Sequence, residues 1–410
     1  MAETKKIKIA VSIQSEVQYF SLGPLLKELA RRRYSIYIIG DFHENNVDGY
    51  REMAARTRRL LIKEGFQPLD LSSVAHIMFD LCLTPYIDER IKAERFMKYE
   101  YGTLNIKPNP TYMPIFMEKF HAFLCQSTVT RQLLSAYGKT FAVDNLRFYN
   151  KRRIVTKQPK SKPVVLFAPT YNDKNSIEKV SKTIKELKKN YYVIAKGHHG
   201  VEYLKANVAL KSALQDIADE YYGSDTELAD LIMRADVCLF DNSSAIAEAL
   251  YAGTPCAIIT DDLDYFKLGD IHTSQYEFVK NGIIPYTNKI SDVIKTIRIA
   301  MSDKYITRQQ KLSKEIFSQE FKTGIKGYVE AIEYMLYDQV AQDYIKLHNY
   351  IINEKEQKDK KYERCNKELE TCKGLVVRQN EMLGQYAEGK LYKLASKIYK
   401  IEGRIRNVKN

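Results

Sequence analysis

The stretch "ADVCLFDNSSAIAEALYAGTP" (Ala235–Pro255) starts as a strand and finishes as a helix. Its run "DVCLFD" has the unbroken apolar character of a strand buried on both faces. "SSAIAEALYAG" then carries apolar residues at helical spacing up to a glycine stop. Between the two stand Asp241, Asn242, Ser243 and Ser244, small and polar where strand meets helix. Such an elbow is either a plain Asx/Ser helix cap or a cradle for an anion. The N–H groups that open a helix are unpaired and carry partial positive charge.

The same grammar extends in both directions. Ahead of the elbow come "PVVLFAP" as a strand, "SIEKVSKTIKELKKN" as a helix, "YYVIAK" as a strand and "ELADLIMR" as a helix; after it comes the strand "PCAIIT". Alternation at this spacing is the signature of a doubly wound α/β domain. The first half reads similarly, with strands at Ile7–Ile13, Ser35–Gly40, Asp80–Pro85 and Ala122–Ser127 and a helix at Leu22–Arg32. Arg153–Pro163 ("RIVTKQPKSKP") is basic, carries two prolines and has no apolar period, so it reads as a linker. The expected organisation is therefore α/β: a Rossmann-like domain over 1–152, a linker over 153–162 and a second Rossmann-like domain over 163–330. The cleft between them would be lined by the carboxyl ends of the strands. A long helix or coiled coil is expected over 331–389 and a basic amphipathic helix over 390–410.

Composition narrows the function. A chain of 410 residues exceeds one compact core, and 45% hydrophobic with 28% charged residues suits a globular enzyme. No run approaches the roughly 20 apolar residues of a membrane span, and "MAETKKIKIAVSIQ" fits a strand, not a signal peptide. The six cysteines form no CxxC pair, and four lie in strand-like surroundings, as expected of reduced thiols in the cytoplasm. A net charge of +13 asks for an anionic partner. Without a zinc-knuckle, RNP or helix-turn-helix signature, nucleic acid is the weakest choice, behind a phosphorylated substrate and an anionic membrane surface.

Two other strand ends tilt the elbow towards a ligand. "VVLFAPTYND" closes a strand with Thr170 and Tyr171, and "YYVIAKGHHG" closes another with Lys196, His198 and His199 between glycines. In one parallel sheet all three ends meet at one edge. The glycines signal close backbone approach. The adjacent histidines do not read as a metal site, because neighbours on an extended turn diverge and no further ligand shows the right spacing.

The ordered set "APT", "K-x-H" and "ADVCLFDNSSAIAEALYAGTPCAI" resembles the CDP-glycerol glycerophosphotransferase family, the teichoic-acid and capsule polymerases and primases of GT-B fold, over about Lys162–Ala300. The last motif is shared in outline with GT-B proteins that bind nucleotide-sugars, including non-hydrolysing UDP-N-acetylglucosamine epimerases. The resemblance implies a transferase that moves a glycerol-phosphate, polyol-phosphate or sugar unit from a CDP- or UDP-activated donor, with no separate cofactor or metal, to a lipid-linked or oligosaccharide acceptor of a cell-surface polymer. It implies catalytic His198 facing the donor phosphates. Lys196, His199, Asp241, Asn242, Ser243, Ser244 and Thr170 would lie around the diphosphate, with Glu248 and Tyr171 on the ribose or nucleotide. His199 replaces the family's proline. Where many relatives have an "H-G" histidine as base, this chain reads Tyr101-Gly102, so either another residue is the general base, with Glu100 the candidate, or the acceptor chemistry differs. His121 reads as packed at a helix–strand junction. A nucleotide-sugar epimerase or hydrolase of the same fold, or a non-catalytic nucleotide-binding scaffold with an oligomerising tail, are the alternatives.

The C-terminal end carries its own signal. Leu391, Leu394, Ile398, Ile401, Ile405 and Val408 form a heptad seam flanked by Lys393, Lys397 and Lys400. It reads equally as a helix lying on an anionic membrane and as a coiled-coil strand making a homo-oligomer. A protein peripheral to the inner face of the cell membrane is the expected setting.

Overall fold

A computed structural model describes residues 6–42, 50–102, 114–151, 162–170, 177–198, 208–241, 243–268, 271–272, 274–382 and 397–404. Two parallel sheets dominate it. The first contains β1 (Lys8–Ser12), β2 (Ser35–Gly40), β3 (Pro68–Asp70), β4 (Leu81–Thr84), β5 (Phe96–Tyr99), β6 (Ala122–Cys125) and β7 (Lys139–Ala142), in the order β3-β2-β1-β4-β5-β6-β7. The second contains β8 (Val164–Ala168), β9 (Tyr192–Lys196), β10 (Glu220–Tyr222), β11 (Val237–Phe240), β12 (Cys256–Ile259) and β13 (Tyr286–Thr287), in the order β10-β9-β8-β11-β12-β13. Strand order reverses between β1 and β4 in one and between β8 and β11 in the other. These are the points at which such sheets leave a crevice at their carboxyl edge. The α/β, GT-B-like architecture with two doubly wound sheets is as the sequence led us to expect.

The second sheet shows why the pattern folds this way. Successive side chains of β8 go to opposite faces. Val164, Leu166 and Ala168 join a core with α6 (Leu228–Arg234), α7 (Ile246–Ala252) and α9 (Asp303–Ile316), through Leu231, Leu250 and Leu312 among others. Val165 and Phe167 join the opposite core with α4 (Ile177–Lys188), α5 (Val208–Ile217) and α8 (Val293–Ala300), through Ile184, Leu214 and Ile297. Each fully buried side chain of this size contributes about 1.5–3 kcal/mol. A strand covered on both faces must be apolar throughout, which is why these segments read as unbroken hydrophobic runs. Helix α7 ends on Gly253, whose φ of 71° gives the left-handed turn that bonds back to Leu250 and Ala249 and sends Pro255 into β12.

In the first domain α1 (Glu16–Arg31) is opened by Ser15, whose hydroxyl accepts the Gln18 N–H. Its Leu22, Leu25, Leu26 and Leu29 are all buried on one face. α2 (Tyr50–Lys63) follows β2, and α3 (Thr128–Leu134) is capped by Ser127 after β6. From the second domain the chain returns: α10 (Gly324–Tyr337) packs on α1 and β7, with Arg32 and Glu333 paired at 2.9 Å and the Phe141 and Tyr334 rings 5.5 Å apart. The boundary expected at 330/331 thus falls inside α10. The compact division lies at Asp338.

A second unit begins at Gln339 with α11 (Gln339–Met382), a single helix of 44 residues. The long helix expected from 331 is this element, eight residues later, because 331–337 belong to α10. Of the C-terminal seam, residues 397–404 are helical, with Ile398 and Ile401 half-buried and Lys397 and Lys400 exposed. Leu391, Lys393 and Leu394 lie outside the described residues. No helix among the described residues is long and apolar enough to cross a membrane. Cys82, Cys125, Cys238 and Cys256 sit as buried thiols in β4, β6, β11 and β12.

Candidate functional site

The carboxyl edge of the second sheet gathers the three motifs. β9, β8 and β11 are consecutive neighbours, so the turns carrying His198 and Ser243 flank the end of β8 at a strand spacing of about 5 Å each side. At the switch point Thr170 spans the gap. Its N–H and its hydroxyl both donate to Asp241 Oδ2, at 2.7 and 3.1 Å. Both residues are buried, Asp241 at 2% exposure. Asp241 therefore fixes the first turn to the last.

On the other side of β8, Lys196 Nζ donates to the Gly223 carbonyl at 2.5 Å, joining the ends of β9 and β10. The Gly197 N–H reinforces this by donating to the Tyr222 carbonyl at 3.0 Å. Gly197 has a steric reason to be glycine: a Cβ there would lie 2.6 Å from the Tyr221 hydroxyl oxygen. His198, next along, is half-buried at the rim.

Ser243 and Ser244 are also half-buried. The N-cap position of α7 falls on Ala245, one residue past the expected cap, because Ser243 Oγ instead accepts the Ala245 N–H at 3.2 Å. Asn242, Tyr171 and His199 lie outside the described residues.

Glu248, in the first turn of α7, has a partner that the sequence did not foreshadow. Its Oε1 accepts from Arg147 Nη1, while Arg147 Nε donates to Glu227 Oε1 at 2.8 Å and Nη2 donates to the same oxygen. All three side chains are buried. Burial pushes the Glu248 carboxyl up to about 7, against the pull of Arg147 and with the push of Glu227. Burial opposes the Arg147 guanidinium, but the two carboxylates raise it above its ordinary value.

The corresponding edge of the first sheet carries Glu100 directly after β5. It is buried, not solvated, with Oε1 3.4 Å from Lys98 Nζ. Lys98 also donates to the Pro85 carbonyl at 3.1 Å, and Gln126 Nε2 donates to the Glu100 carbonyl at 3.0 Å. Tyr101 hydrogen-bonds its hydroxyl to that of Tyr86. Burial, then the neighbouring phenol, raises Tyr86, so it holds its proton at neutral pH. Tyr99 donates to the Ser12 carbonyl at 2.7 Å. His121 packs before β6 as expected, its Nδ1 accepting the Phe96 N–H.

Arg147, Glu227 and Lys98 are the additions that sequence reading missed. Only Lys98 left a trace, as a charge at an inward position of "FMKY". Among the described residues no cluster of three or more His, Cys, Asp or Glu side chains forms a metal shell.

Known proteins give the geometry a context. Residues 104–323, just over half of the chain, match the family described as CDP-Glycerol:Poly(glycerophosphate) glycerophosphotransferase. No curated protein matches by sequence. Among solved structures, a putative UDP-N-acetylglucosamine 2-epimerase from Listeria monocytogenes superposes with a TM-score of 0.55 at 11% identity, covering 82% of this chain and 98% of the other. The wall teichoic acid polymerase TagF gives 0.53 at 12% identity, with 82% and 90% covered. A glycosyltransferase from Rickettsia africae gives 0.50 at 13% identity, with 82% and 100% covered. At such identities the likeness is one of fold. The matched family segment contains the strand-end motifs and both sides of the switch point, and the chain belongs to the CDP-glycerol:poly(glycerophosphate) glycerophosphotransferase family.

Proposed function

We propose that this transferase moves a glycerol-phosphate or related polyol-phosphate unit from a CDP-activated donor onto a hydroxyl of a cell-surface polymer or its lipid-linked primer. The observation that carries the reading is the gathering of Thr170–Asp241, Lys196–His198 and Ser243–Ser244 at one switch point. The acceptor oxygen attacks the donor's distal phosphorus; the new O–P bond forms as the bond to the bridging oxygen breaks, and CMP leaves. His198, Lys196, the turn hydroxyls and the first-turn N–H groups meet the charge that builds on the leaving phosphate. Glu100, at the matching edge of the first sheet and steadied by Lys98, takes the acceptor's proton. Glu248 accepts from the donor's ribose. A lipid-linked acceptor and the net charge of +13 suggest work at an anionic membrane face.

Replacement of His198 by Ala tests the reading. Turnover of CDP-glycerol should fall by about two to four orders of magnitude with the fold retained, and full activity would refute the assignment. The likeness to an epimerase supports a second reading, nucleotide-sugar epimerisation. Incubation with UDP-sugars and no acceptor separates the two, since only an epimerase forms product there.

A further inference from the structure

The segment that leaves the first sheet after β7 holds the second domain at several points. Asp144 Oδ1 accepts the Tyr251 hydroxyl at the end of α7, and Oδ2 accepts the Gly324 N–H at 3.0 Å. The Asp144 carbonyl accepts the Tyr328 hydroxyl at 2.8 Å. Three residues on, Arg147 forks between Glu227 and Glu248, and Lys151 pairs with Asp230 on α6 at 2.5 Å. The Phe148 ring stacks 5.1 Å from that of Tyr251, which Lys322 also covers at 3.3 Å. Both ends of α7 are thus held by one segment: Glu248 by Arg147, Tyr251 by Asp144. The turn that opens α7 is the one carrying Ser243 and Ser244.

The charge of this grip is unbalanced. One guanidinium faces two carboxylates, and Oε2 of both Glu227 and Glu248 is buried without a hydrogen-bond partner. A latch built for stability alone is better served by one carboxylate or by apolar groups, since buried unpaired acceptors are expensive.

We propose that Arg147 is a positioning residue for the donor: by gripping Glu248 it sets the ribose contact and the diphosphate turn of α7 in register with the first domain. This rests on the reading that α7 and its opening turn bind the nucleotide donor. Arg147 acts through Glu248, not on the donor itself. The charged groups around Glu248 are Arg147 and Glu227, with Asp230 and Lys151 on the far side of the guanidinium and Asp144 and Lys322 near Tyr251. Because Arg147 pulls the Glu248 carboxyl downward, removing it should leave Glu248 protonated to higher pH, and a protonated acid accepts one hydrogen bond fewer.

The test is calorimetric titration of CDP-glycerol into the full chain between pH 6 and 9. Wild type should bind more tightly as pH rises through about 7. Arg147→Gln should weaken binding about tenfold at pH 7.5 and shift the midpoint upward by about one unit, the scale of one lost charge contact. Arg147→Lys keeps the charge, so it should restore the midpoint while recovering only part of the affinity. Should Arg147→Gln fail to fold, Arg147→Lys decides alone: unaltered affinity overturns the proposal. Tyr251→Phe releases the other end of α7 without changing charge and should weaken binding equally at every pH. If wild type binds and Arg147→Gln binds as tightly with the same midpoint, the positioning role is wrong. If wild type does not bind CDP-glycerol at all, the donor reading falls and takes the proposal with it.

Discussion

Thr170 and Asp241 close the gap between the two strands at which the second sheet reverses its order. Two hydrogen bonds, 2.7 and 3.1 Å long, converge on one carboxylate oxygen of a side chain that is 2% exposed. The bond is local in space and 71 residues long in sequence. It makes the ends of β8 and β11 a single rigid rim, so that the turn of Ser243 and Ser244 has a fixed partner across the crevice. An anion bound there would be held by a scaffold already in place, which lowers the ordering penalty of binding.

Removing that scaffold should therefore affect binding as well as stability. Asp241→Ala deprives the buried Thr170 N–H of its acceptor and should destabilise the protein by about 2–3 kcal/mol. Thr170→Val keeps the N–H bond and loses the hydroxyl, at about 1 kcal/mol. Urea denaturation measures both. The donor KM should rise in the same order, Asp241→Ala above Thr170→Val; equal KM values in all three proteins would detach the rim from the donor.

Lys98 and Glu100 make a parallel case on the first sheet, both less than 5% exposed. Lys98→Met takes away the ammonium that the buried Glu100 carboxylate faces at 3.4 Å and should destabilise by about 1–3 kcal/mol. Glu100→Gln preserves shape and the Lys98–Pro85 bond but cannot take a proton. Its kcat should drop by about two to four orders of magnitude at temperatures where the variant is folded. A Glu100→Gln enzyme with wild-type kcat would remove Glu100 as base and send the search to other residues at that edge.

The second domain was legible because its sequence patterns and its elements change at the same places. The apolar run of β11, the polar Asp241–Ser244 turn, the helical spacing of α7 and Gly253 at its end follow one another without overlap. The short strands were not. β5 and β7 contain Lys98 and Lys139, and β10 is three residues long with Glu220 at its start. Their strand character comes from neighbours in the sheet, which no local pattern encodes. The candidate site divides in the same way. Thr170, Lys196, His198 and Ser243 stand at strand ends and could be found from the ends alone. Arg147 could not, since its partners lie 80 and 101 residues further on. Glu248 was visible as an acid on α7, but its environment depends wholly on those distant side chains.

That environment has a consequence for stability. Burial holds the Glu248 proton to about 7 in the folded chain, from an ordinary value of 4.5. The folded state therefore binds this proton more tightly than the unfolded state. The stabilisation from the site is complete below about pH 4.5, declines above it, and is lost as pH rises past about 7. Its full size is on the order of 3 kcal/mol. Glu248→Gln should flatten this dependence: compared with wild type, its melting temperature should improve from pH 5 to a little above pH 7 and level off beyond. Parallel melting curves for the two proteins across that range would show that the carboxyl does not titrate there.

Gly197 offers a test in which geometry alone is changed. Its N–H is committed to Tyr222, so the backbone has little freedom to retreat. An added methyl group would meet the Tyr221 hydroxyl oxygen at 2.6 Å and the ring carbon Cζ at 3.4 Å. The phenol is the far end of a half-buried side chain and can yield, so Gly197→Ala should destabilise by only about 1–2 kcal/mol. Yet the turn that must shift carries His198, and a displacement of a few tenths of an ångström is enough to lower turnover, by about tenfold or more. Adding Tyr221→Phe removes the clashing oxygen and should restore most of the rate. Gly374→Ala on α11, where a Cβ meets nothing within 4 Å, is the control and should leave turnover unchanged. If Gly197→Ala keeps the wild-type rate, the position of His198 does not govern the reaction; if the double variant stays slow, the Tyr221 hydroxyl is not what crowds the turn.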